Sequence, residues 1–145
     1  MFNTILAACD GSAQSENALK KAIDLAKLSG AKLLILTVYR HHSMIEASLS
    51  MVQGSKHATP DKALEENATQ IADAARKIVG ESGQTEVRAF VRSGQPARAI
   101  VEFANKHEAD LIVLGSRGAG SVDGYFLGSV SYKVTGLSSI PVLVV

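Results

Sequence analysis

Apolar residues along this chain fall into short continuous runs, and the runs alternate with stretches of helical periodicity. Phe2 to Cys9 is an apolar run closed by Asp10-Gly11-Ser12, a turn and helix-start signal. From about Ser15 to Ser29, Ala18, Leu19, Ala22, Ile23 and Ala26 recur at three- and four-residue spacing, and Gly30 fits the C-cap. Lys32 to Tyr39, with Leu33-Leu-Ile-Leu-Thr-Val38 at its heart, predicts a second buried strand. Pro60 or Asp61 opens a long helix with Leu64, Ala68, Ile71, Ala72, Ala75, Ile78 and Val79 along one face, ended by Gly80 or Gly83. Thr85 to Val91 alternates as a half-exposed strand does, and Gly94-Gln95-Pro96 starts a helix carrying Ile100, Val101 and Ala104. Asp110 to Leu114 is a fourth strand, Ser129 to about Leu137 a fourth helix, and Pro141 introduces a fifth strand.

Strands that are nearly all apolar and alternate with helices predict an α/β fold, an open five-stranded parallel sheet with helices on both faces. Right-handed crossovers favour a doubly wound sheet of order 3-2-1-4-5. In that order strands 1 and 4 are neighbours at the switch point, where a crevice opens. Asp10 follows strand 1 and Gly115 follows strand 4, so two motifs distant in sequence are expected at one site. The segment from Arg40 to Thr59 breaks the rhythm. Met44, Ile45, Ser48, Leu49, Met51 and Val52 fit a short amphipathic helix, either packed on its own domain or acting as a lid or partner surface.

At 145 residues, 46% hydrophobic and 20% charged, the chain reads as a single globular domain, 1–145. A net charge of +1 with interleaved signs gives no basic footprint for nucleic acid. The single Cys9 excludes an internal disulfide and fits a reducing compartment. The N-terminus lacks a basic n-region and reads as a strand, and no apolar run approaches a membrane span, so the expected location is the cytoplasm.

The chemistry concentrates in the last third. Gly115-Ser116-Arg117-Gly118 is followed, after nine residues, by Gly128-Ser129. The first glycines leave a buried strand, and the last opens a helix. Glycine permits close approach of backbone to ligand, and the free N–H groups of a helix start bind phosphate. Gly128 would allow that approach, the amides of Ser129 and Val130 would donate, and the Ser129 and Ser131 hydroxyls could add bonds. Each glycine taken alone fits an ordinary turn; together they point to phosphate. Arg117 either reaches terminal phosphates or is solvated. Asp10 either accepts from a ribose hydroxyl, helps hold a divalent ion indirectly, or caps the first helix. Val38 borders the crevice, where its backbone could read an adenine edge or its side chain simply pack.

Other chemistries are poorly represented. There is no Gly-x4-Gly-Lys-Ser/Thr loop, and Gly118-Ala-Gly120 fails as a dinucleotide fingerprint because Asp123 holds the third glycine position. Cys9 has no His placed to activate it and reads as a buried strand residue. His41, His42, His57 and His107 show no metal-ligand spacing and read as surface residues. A receiver-like domain would need clustered acids and a phosphoacceptor Asp where Arg92-Ser93 stands. Two function classes remain: a nucleotide-binding regulator, and a slow ATPase or phosphotransfer enzyme using Asp10 or a metal-bound water.

These residues resemble the universal stress protein family in its ATP-binding branch. The family pattern Gly-x2-Gly-x9-Gly-Ser/Thr is met by Gly115, Gly118, Gly128 and Ser129, and Ile5-Leu-Ala-Ala-Cys-Asp-Gly-Ser12 is similar to its first strand and turn. The resemblance implies ATP with Mg2+ or Mn2+, adenine on the Val38 backbone and the ribose beside Asp10. Phosphates would lie on Gly118, Gly128, Ser129 and Val130, over a floor of Leu114 and Gly115. It also implies a homodimer through the last strand. Ala7-Ala8-Cys9 is smaller than the family's usual residues, which widens the pocket near the base and adds Ala8 and Cys9 to the site. The loop from Ala119 to Leu127 is acidic and Gly-rich rather than basic. Residues 41–52 are similar to stress proteins that accompany TRAP-type transporters.

Overall fold

A computed structural model of the chain describes residues 1–41, 60–84, 86–117 and 127–145. The element order is β1 (Thr4–Ala8), α1 (Ala13–Ser29), β2 (Lys32–Tyr39), α2 (Pro60–Glu81), β3 (Val87–Ser93), α3 (Pro96–Lys106), β4 (Leu111–Leu114), α4 (Ser129–Leu137) and β5 (Val142–Val144). The amphipathic helix expected on Met44 to Val52 lies outside the described residues, as do Thr85, Gly118 and the loop to residue 126.

The sheet is five-stranded and parallel, in the order β3-β2-β1-β4-β5. Alternation along each strand explains the continuous apolar runs. Ile5, Ala7 and Cys9 of the first run, with Leu111 and Val113 of β4, pack with Ala18, Leu19 and Ala22 of α1 and with Ala75 and Val79 of α2. Leu6, Ile112 and Leu114 point the other way, against Ile100, Phe103 and Ala104 of α3 and Val134 of α4. Every strand residue of β4 is buried, because both faces of the central sheet are covered.

Local chemistry sets the helix ends. Ser12 caps α1, its side chain accepting from Ser15 N at 3.1 Å, so the helix begins at Ala13, two residues earlier than periodicity alone predicts. Gly30 ends it in the left-handed conformation, φ 67°, with a backbone bond back to Ala26. Gln95 caps α3, and Pro96 occupies the first turn, where its missing N–H is harmless. Two expectations shift. β3 runs Val87–Ser93, later than the alternation suggested, because its ladder with β2 extends from Leu33↔Val87 to Tyr39↔Ser93. His107 is not a plain surface residue: its ring stacks on Phe103 at 3.9 Å between centroids, and its Nδ1 lies 3.1 Å from Phe103 O.

Asp110 ties the sheet together at its lower edge, accepting from Asn3 N at 2.8 Å and Thr4 N at 3.0 Å. Thr37 of β2 is 2% exposed, and its Oγ1 has no hydrogen-bond partner among the described residues. An unmade buried bond costs about 1–3 kcal/mol, and valine keeps the shape without the hydroxyl. Thr37→Val should therefore raise the melting temperature by about 2–4 °C per kcal/mol recovered; a thermal melt showing a fall would refute this. Among the described residues no helix is long and apolar enough to cross a membrane.

Candidate functional site

The switch point lies where the sequence placed it. Ala7 of β1 pairs with Val113 of β4, so the two strands end side by side. From β1 the chain turns into α1 on one face of the sheet; after β4 it reaches α4 on the other. A crevice at the carboxyl ends of the strands is the expected consequence.

Three segments meet there. The first is the turn after β1. Asp10 is exposed, its Oδ1 accepts from Ser12 N at 2.9 Å, and its N–H donates to Ser15 Oγ at 3.3 Å. Ser12, not Asp10, is the helix cap, so the carboxylate shapes the turn rather than closing the helix. Cys9 N donates to Leu36 O at 2.9 Å, and Ala8 is half-buried directly opposite Leu36. β2 continues past this point to Tyr39, which carries the half-buried Val38 beyond the end of β1.

The second segment is the loop after β4. Ser116 N donates to Val145 O at 2.7 Å, anchoring the loop to the chain's last residue. A Cβ built on Gly115 would sit 3.0 Å from the carbonyl carbon of Gln14 and 3.1 Å from Arg117 O. Close packing against the start of α1 therefore explains this glycine, a reason the ligand-approach reading did not contain. Arg117 is half-buried next to it.

The third segment is the start of α4. Gly128 is its N-cap at φ −62° and ψ 160°, with no side-chain cap. The first N–H groups of a helix have no partner within it and carry the positive end of its dipole. Here they belong to the exposed Ser129 and to Val130, whose side chain packs into the core below. Gly128 N donates to Ser116 O at 2.6 Å, which locks this helix start against the loop after β4.

Ser131 is a correction. It was expected to offer its hydroxyl to phosphate, but it is 2% exposed and its Oγ donates to Ser116 O at 2.8 Å, with Gly128 O at 3.1 Å. It braces the site from beneath. The Ser116 carbonyl, which accepts from Gly128 N and from Ser131 Oγ, was missed, since a backbone acceptor leaves no mark in the sequence. Gln14 was missed likewise. Gly118 lies outside the described residues.

Burial first, and then the charge of Asp10, push the Cys9 thiol up from its ordinary 9.0 to about 12. The folded state prefers the neutral thiol, so its contribution to stability is full below pH 9.0 and is lost as pH rises toward about 12. A thiol-alkylating reagent at pH 8 should leave native protein unlabelled and label it in urea. Rapid labelling of the native state would contradict the burial. Among the described residues no group of three or more His, Cys, Asp or Glu is arranged to hold a metal.

The fold defines the class: a doubly wound α/β domain in which the ends of β1 and β4 lie side by side at the switch point. The chain belongs to the universal stress protein family, whose profile matches residues 1–145. It is 36% identical to universal stress protein YxiE of Bacillus subtilis (strain 168), covering 100% of this chain and 99% of that one. Among solved structures, hypothetical protein MJ0577 superposes with a TM-score of 0.81 at 28% identity, covering 100% of this chain and 96% of the other. A universal stress protein in complex with cAMP matches with a TM-score of 0.64 at 34% identity, covering 99% and 97%.

Proposed function

We propose that this protein binds ATP in the switch-point crevice and works by occupancy, the bound nucleotide altering its association with a second copy or another protein. The observation that carries the reading is the start of α4. It has no side-chain cap, and Ser116 O holds it against the end of β4. The amides of Ser129 and Val130 are the phosphate donors, Asp10 stands toward the ribose, and the Val38 backbone toward the base. Ala8, Cys9, Leu114 and Gly115 line the remainder. The relative in complex with cAMP supports an adenine nucleotide as the class of ligand.

Mg2+ or Mn2+ would ride on the triphosphate and screen its charge, because the described residues supply no cage of three side-chain ligands. Asp10 is the carboxylate placed to hold such an ion through water. Binding without turnover is part of the proposal: Cys9 is held as the thiol, and Ser131 is engaged with backbone carbonyls. β5 is an edge strand of the sheet, through which a second copy would pair, and residues 41–52 carry the finer reading of a TRAP-type transporter partner. ATP and a reduced Cys9 both fit a cytoplasmic setting. The test is to denature purified protein, assay the supernatant for nucleotide, and melt the emptied protein with and without Mg-ATP. Absence of both co-purified nucleotide and thermal shift would overturn the reading.

A further inference from the structure

A second concave surface lies between α3 and α4, a groove of about 590 Å³ lined by residues that include Gln95, Arg98, Tyr132, Lys133, Gly136 and Leu137. None of these belongs to the crevice. Its charge is one-sided among the described residues: Arg98 and Lys133 line it, no Asp or Glu does, and neither cation forms an ion pair there. Its apolar surface is unusually open, with Tyr132 71% and Leu137 56% exposed.

Gly136 adds an independent observation. It lies in the last turn of α4, where glycine weakens a helix relative to alanine. Its φ is not positive, and a Cβ there would meet nothing within 4 Å. No packing among the described residues requires the missing side chain, and Gly136 leaves the groove wall open at that point. Free phosphate is a poor occupant. At the α3 start beside the groove, Pro96 carries no N–H and Gln95 Oε1 accepts from Arg98 N at 2.7 Å, so the first turn has few amides left for an anion.

We propose that this groove docks an acidic segment of a partner protein. Its carboxylates pair with Arg98 and Lys133, and an apolar side chain seats over Gly136 against Tyr132 and Leu137. Charge complementarity selects the segment, and the exposed apolar residues supply the desolvated contact. The inference does not rest on the nucleotide reading, since the residues named in the groove are not those assigned to the crevice.

The test uses the full chain, 15N-labelled and nucleotide-free, titrated with the peptide Glu-Asp-Glu-Leu-Phe-Glu-Asp-Glu. The same peptide with lysine at every acidic position, and sodium pyrophosphate, are run in parallel. The acidic peptide should shift the amides of Arg98, Lys133 and Gly136. The double variant Arg98→Glu, Lys133→Glu should bind it about tenfold more weakly or worse and should gain binding of the lysine peptide. Gly136→Ala should melt at or above the parent temperature while binding less well, which a glycine needed for folding would not do. No shift with the acidic peptide, an equal response to the lysine peptide, shifts confined to residues 128–130, or the same shifts from pyrophosphate would each overturn the proposal. So would a fall in the melting temperature of Gly136→Ala.

Discussion

Valine at position 128 should leave the protein folded and remove most of its response to Mg-ATP. The dihedrals of Gly128, φ −62° and ψ 160°, are open to any residue, so the backbone does not resist the change. What valine adds is a branched side chain where phosphate must approach the amides of Ser129 and Val130. ATP at one hundred times its Kd stabilises by about 2.7 kcal/mol, or about 5–10 °C at this chain length. That shift should largely vanish, while the poorer cap costs the unliganded protein only about 1 kcal/mol. Gly128→Ser should separate the two effects. Its hydroxyl would cap the amides itself, raising the unliganded melting temperature while competing with phosphate. A full Mg-ATP shift in Gly128→Val would place the phosphates elsewhere.

Alanine at position 115 should do the reverse, damaging the fold first. Its Cβ would press on the Gln14 carbonyl carbon at 3.0 Å and on Arg117 O at 3.1 Å. Both are backbone atoms, so relief requires moving the first turn of α1 or the loop after β4. Overpacking of this kind costs about 1–3 kcal/mol, a fall of roughly 3–10 °C. Urea and thermal melts of nucleotide-free protein measure it directly. Gly115→Ala melting with the parent would mean that ligand approach, not packing, is the reason for glycine here. Comparing the two variants thus assigns different causes to two glycines of one motif.

Much of the fold was legible because the pattern is redundant. Apolar runs of strand length, helical spacing between them, and a handedness rule with few exceptions leave few arrangements of a five-stranded parallel sheet. The early start of α1 has a local cause, the Ser12 cap, whereas the shifts at β3 and His107 draw on partners distant along the chain. β3 starts at Val87 because β2 sets its ladder. His107 is drawn from the surface by Phe103 one helical turn away and by Phe90 on a strand. Around the switch point, the turn at Asp10 and the glycines at 115 and 128 stood out by residue type. Their supports were not: Ser116 acts through a carbonyl every residue possesses, and Gln14 through its place at the start of α1.

By itself the sequence determined the alternation of elements, the parallel sheet, and the two glycine-marked breaks that follow β4 and open α4. Periodicity and steric freedom are properties of neighbouring residues and survive without coordinates. Only the tertiary structure decided which residues around the switch point are exposed and which are buried in its support. It moved Ser131 from ligand contact to brace, tied the need for Gly115 to Gln14, and exposed a second groove beside α4. Those assignments depend on atoms brought together across long stretches of chain, and residue type alone does not encode what a side chain will find opposite it.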